Sequence, residues 1–68
     1  MTQQSEFCCI GSRTKHRAIR VAEGARDAGD MHVLAAANRV RSGYYLGRAR
    51  REDVELVRDF FNMLEEGA

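Results

Sequence analysis

Apolar residues recur at helical spacing over most of the chain, and the recurrence breaks at Gly29 and again at Gly43. Ala18, Ile19, Ala22, Ala25 and Ala28 share one face of a first helix, predicted over 14–28 with Ser12 or Thr14 as its N-cap. Gly24 sits mid-helix, where glycine costs up to about 1 kcal/mol relative to alanine. A close helix crossing accounts for it, because small residues let backbones approach. Gly29 reads as the residue that ends this helix, and Asp30 as the N-cap of the next. The second helix, over 31–42, carries Val33, Ala36, Ala37 and Val40, with Met31 and Leu34 alongside and Gly43 as its terminator. A junction as short as Gly29-Asp30 forces an antiparallel αα-hairpin. Both arms are alanine-rich, so the hairpin is expected to be tight. It resembles the hairpins of helical-repeat proteins, but the chain holds no second copy of the unit.

The third helix, over 51–66, has the clearest pattern. Val54, Val57, Phe61 and Leu64 follow a three-four spacing, flanked by Leu56, Phe60 and Met63. Glu52 and Asp53 occupy its first turn, where the helix dipole favours acid. Each of the four core residues stabilises by roughly 1.5–3 kcal/mol when fully buried. Val54, Val57, Phe60, Phe61 and Leu64 are therefore the candidate core or self-association set. Phe61 is the position where aspartate is expected to abolish folding or assembly. Residues 1–12 are read as an extended arm whose Phe7-Cys8-Cys9-Ile10 run is either a short strand or an arm packed on the helices. No second strand is evident, so a strand there is expected to pair with another copy. Residues 43–50, bounded by Gly43 and Gly47, read as a loop.

The predicted fold class is thus all-α: a single three-helix domain, an αα-hairpin plus a C-terminal amphipathic helix, with a short extended N-terminal arm. At 68 residues the chain is one small domain, and it buries only about 60% of its unfolded surface. Its composition is 44% apolar and 31% charged, a globular mixture. No apolar run approaches the roughly 20 residues that span a bilayer, so no membrane role is expected. Residues 1–6 are polar and lack the basic start of a signal peptide. Cys8 and Cys9 are adjacent and cannot staple the fold. Together these predict a reducing, cytoplasmic setting. A small core without a staple favours a homodimer or higher oligomer.

The net charge of +1 hides an uneven distribution: +2 over residues 1–28, +4 over 29–51 and −5 over 52–68. Ten of the eleven basic residues are arginine, a choice that suits bidentate contacts to phosphate and carboxylate and equally suits a GC-rich genome. Arg13, Arg17 and Arg20 lie within about 60° on one helix face, at roughly 100° per residue. They form either an anion or nucleic-acid stripe or an ordinary solvated face. Arg39 and Arg41 could extend it. Tyr44 and Tyr45 beside Arg48, Arg50 and Arg51 suit a partner-binding tip, since tyrosine and arginine are enriched in interface hot spots. Otherwise one tyrosine packs on the core. The acids of the third helix, Glu52, Asp53, Glu55, Asp59, Glu65 and Glu66, are a solubilising surface or the complement of a basic partner.

Chemistry is sparse. Adjacent cysteines, with His16 and His32 far apart in the chain, lack the spacing of a zinc site. The few hydroxyls, Ser12, Thr14 and Ser42, form no nucleophile–base set, and Gly43 to Gly47 lacks the lysine and hydroxyl ending of a P-loop. The expectation is a protein that is not an enzyme and has no cofactor and no metal. The expected role is that of a small regulatory protein that binds and modulates a larger host protein or nucleoprotein complex, with inhibition favoured over activation. In type it resembles accessory regulators encoded by phages and mobile elements. The alternatives are a small nucleic-acid-binding regulator and a structural, oligomer-forming subunit. Against the former, the Gly29-Asp30 turn is shorter than helix-turn-helix geometry wants.

Overall fold

Three helices form where the spacing predicts them, and two short strands clasp the second and third helices from outside. The order is β1 (Phe7–Cys9), α1 (Ser12–Ala28), α2 (Met31–Gly43), a 3-10 turn (Tyr44–Leu46), β2 (Arg48–Arg50) and α3 (Arg51–Gly67). This is a computed structural model, and it describes residues 7–67. The part of the predicted arm before Phe7 lies outside the described residues. The fold is all-α, a helical hairpin plus a C-terminal helix with a short N-terminal arm, and the sheet is minor. No helix among the described residues is long and apolar enough to cross a membrane.

The hairpin turn is built as the sequence implies. Gly29 adopts φ 77°, which an L side chain resists, and its amide donates to the Arg26 carbonyl at 3.2 Å. The Asp30 amide donates to the Ala25 carbonyl at 2.9 Å. The Val33 amide in turn donates to the Asp30 carboxylate at 3.2 Å, which caps α2. At the other end of α1 the expectation fails. The helix begins at Ser12, with Gly11 as N-cap and no side-chain cap.

Residues 43–50 are not a loop. Gly43 remains helical within α2, and Gly47, at φ 78°, ends the 3-10 turn and redirects the chain into β2. Antiparallel to β1, this strand pairs Phe7 with Arg50, Cys8 with Ala49 and Cys9 with Arg48. The partner of the first strand is therefore in the same chain, not in another copy. Arg-Ala-Arg carries one small apolar residue between two charges, too little alternation to signal a strand. It can lie against the helices because Gly43 has no side chain: a Cβ there would stand 2.4 Å from the Arg48 carbonyl oxygen.

Among the described residues, the buried apolar ones are six alanines and four valines, contributed by both hairpin helices, β2 and α3. On α1 the buried set is Ala18, Val21, Ala22 and Ala25. Val21 replaces Ala28, which is exposed. On α2, Val33, Ala36, Ala37 and Val40 are all buried. From α3 only Val57 is fully enclosed among the apolar residues; Val54, Phe60 and Phe61 pack half-buried on the cluster. Leu64 is half-buried too, and it crosses α1 at Gly24, where a Cβ would meet its methyls at 3.0 and 3.1 Å. The close crossing expected at Gly24 is present.

Candidate partner-binding site

The 3-10 turn and β2 deliver Leu46, Arg48 and Arg50 to one side of the molecule, opposite Arg39 and Ser42 of α2. Strand alternation turns Ala49 inward and leaves Arg48 and Arg50 exposed. Cross-strand pairing adds Phe7 to the same outer face. The result is an open groove of about 380 Å³ whose walls include Phe7, Arg39, Leu46, Arg48, Arg50 and Asp53. Leu46 is 79% exposed and Phe7 42%. The Arg48 guanidinium lies over the Phe7 ring, 5.1 Å from its centre, a cation–π contact that holds both side chains at the rim.

Arg39 and Asp53 close the far end. Arg39 Nε donates to Asp53 Oδ2 at 3.0 Å, and Nη2 donates to Oδ1 at 3.0 Å. The side chain of Asp53 is 4% exposed and that of Arg39 54%. The hydrogen bond and charge of Asp53 hold the Arg39 pKa above its ordinary value; partial desolvation opposes the rise and Glu52 adds to it. The fork ties α2 to the first turn of α3, directly beneath the groove. Because the acid is buried and the base is not, the two partners are not equivalent. Arg39→Ala strands a carboxylate in the interior, whereas Asp53→Ala frees an arginine into water. Arg39→Ala is expected to lower Tm more than Asp53→Ala, and the double variant to melt above Arg39→Ala. Thermal melts that show equal and additive losses would refute the coupling.

The remaining expected site residues fall elsewhere. Tyr44 is half-buried, with the Lys15 ammonium 4.6 Å above its ring, so it faces α1. The Arg48 guanidinium lies over Phe7. The Tyr45 side chain lies outside the described residues. Arg51 opens α3 and is exposed. Arg13, Arg17 and Arg20 line a separate depression against Phe61. Sequence reasoning missed four groove residues. The sequence puts Phe7 in an arm with no partner strand in the same chain, and it singles out the tyrosines and arginines of the 43–50 segment rather than Leu46. Asp53 did leave a signal: positions 53, 57, 60 and 64 share the helical stripe, so an acid there lies on the apolar face. Arg39 is fourteen residues away and nothing in the sequence links it.

No group of three or more His, Cys, Asp or Glu among the described residues is placed to hold a metal. Cys8 and Cys9 are both free thiols. Comparison with protein-family models, with curated proteins and with solved structures finds no match to this chain.

Proposed function

We propose that this chain is a non-enzymatic regulatory protein that binds a larger protein through the Phe7–Leu46 groove and inhibits it by occupying the bound surface. The observation that carries this reading is the exposed Leu46 and Phe7 framed by Arg48 and Arg50, neither of which has a carboxylate partner within 4.0 Å among the described residues. Exposed apolar side chains beside arginines are what interface hot spots use. Such a surface fits a partner that offers an apolar knob with acidic neighbours. Among the described residues, the one carboxylate in the groove, Asp53, already accepts both hydrogen bonds from Arg39. With two free cysteines, a reducing cytoplasmic setting suits the reading.

The test is an affinity pull-down of tagged protein from native host lysate, with and without nuclease, run beside a Leu46→Asp/Arg48→Ala variant. A stoichiometric protein partner is expected to survive nuclease and to vanish with the variant, whose melt should match the parent because both positions are exposed. Equal capture by the variant, or loss of every protein after nuclease, would refute the reading. A second reading, self-association through α3, is favoured by the half-buried Leu56, Phe60, Phe61 and Leu64 above a core of only alanine and valine. Sedimentation of the same samples separates the two: a homodimer runs at twice the 7.7 kDa chain mass.

A further inference from the structure

The groove leaves unused a cationic surface on α1 formed by Arg13, Arg17 and Arg20. At roughly 100° per residue, Arg17 and Arg20 fall about 40° and 20° to either side of Arg13. Arg17 is the one nearest buried Val21, and it is the half-buried member; Arg13 and Arg20 are exposed. The Arg17 guanidinium lies over the Phe61 ring of α3, 5.4 Å from its centre. Between the helices is a cleft of about 490 Å³ lined by Ser12, Arg13, His16, Arg17, Arg20 and Phe61.

Among the described residues, no carboxylate lines this cleft. The ion pairs among them are Arg39–Asp53 and Arg58–Asp59, so Arg13, Arg17 and Arg20 have no described acid within 4.0 Å. An ordinary solvated helix face intersperses acids with its bases, and α1 does so only beyond the cleft, at Glu23 and Asp27. The first turn of α1 also lacks an acid and its N-cap contributes no side-chain bond, so the positive end of the helix dipole adds to the same field.

We propose that this cleft is a phosphodiester site at which Arg13, Arg17 and Arg20 hold the backbone of one strand of a nucleic-acid duplex. From Arg13 to Arg20 the helix rises by about 10.5 Å, at 1.5 Å per residue. Measured along the duplex axis, one strand advances about 3.4 Å per phosphate, so an α1 lying along that axis covers about three steps and each arginine can neutralise one phosphate. A duplex is favoured over a single strand because the Phe61 face is already covered by Arg17. A single-strand site would present an open aromatic face to stack bases. The contact reads phosphates and not base edges, so it carries affinity without sequence preference.

The test is fluorescence anisotropy of the full chain with a labelled duplex and with one of its strands, over a series of salt concentrations. Three phosphate contacts predict a slope of log K against log salt of about −2.7 for the duplex, at about 0.9 per contact. Arg13→Gln/Arg20→Gln, both exposed positions, is expected to reduce the slope to about −0.9 with an unchanged melt. Arg26→Gln, off the stripe on the same helix, should leave the slope as it is. So should Leu46→Asp/Arg48→Ala, which separates this site from the groove. Absence of duplex binding at low salt would overturn the proposal. The same follows from a slope indifferent to Arg13→Gln/Arg20→Gln, or from tighter binding of the single strand.

Discussion

Val57→Asp is expected to leave the chain without its helical circular dichroism at room temperature. Val57 is the one apolar side chain of α3 with essentially no exposure, at 1%. A domain of this size has roughly 3–10 kcal/mol of stability in all, at about 0.05–0.15 kcal/mol per residue. Losing the valine removes roughly 1.5–3 kcal/mol of burial. An unpaired carboxylate in the interior then costs several kcal/mol more. The two losses together match the whole stability. Val57→Ala isolates the first of them and should still fold, with Tm lower by about 10 °C or somewhat more. Phe61→Asp is expected to be milder than Val57→Asp, although periodicity alone marks Phe61 as central. Phe61 is half-buried, and Arg17 stands over it ready to pair with a carboxylate. A cooperative melt from Val57→Asp at parental helicity would show that α3 is not anchored there.

Gly43→Ala is expected to destabilise the protein even though it improves helix propensity. Gly43 has φ −64° and ψ −20°, which any residue adopts, and alanine gains about 1 kcal/mol over glycine in a helix. The gain is overridden by contact. The new Cβ would meet the Arg48 carbonyl oxygen at 2.4 Å and the Ala49 Cβ at 3.2 Å. The first of these is backbone and cannot rotate away, so β2 must lift off α2. Overpacking of this kind costs about 1–3 kcal/mol, and it falls on the element that carries Arg48 and Arg50. Amide protection should be lost in β1 and β2 while the helices persist. Gly24→Ala is the control. There the obstacles are the tips of Leu64 and Phe60, at 3.0–3.4 Å, and these can shift, so the propensity gain and the repacking cost should nearly cancel. A Gly43→Ala protein as stable as the parent, with its strands intact, would show that the close approach does not govern the sheet.

These expectations depend on which features local sequence records. Helices α1 to α3 were legible because each carries a run of apolar residues at helical spacing, and the hairpin because Gly29 and Asp30 perform capping chemistry that is local. The clasp was not legible. Its strands are three residues long, and their pairing joins positions about forty residues apart. What permits it is the missing side chain at Gly43, which reads equally well as a helix terminator. The groove inherits that illegibility, since Phe7 reaches it only through the pairing. The basic cleft stands between these cases: its arginines announce themselves by spacing, while Phe61, which forms the opposite wall, looks in sequence like one more core residue.

The clasp has a consequence for how such a protein diversifies. In each strand only the middle residue, Cys8 or Ala49, turns toward the helices, and Phe7, Cys9, Arg48 and Arg50 project outward. Substitutions at Phe7, Arg48 and Arg50, which line the groove, alter what it presents without touching the alanine–valine interior. The outer face of the ribbon can therefore change one residue at a time. The helical body, whose tolerance is narrowest at Val57 and Gly43, is inherited unchanged.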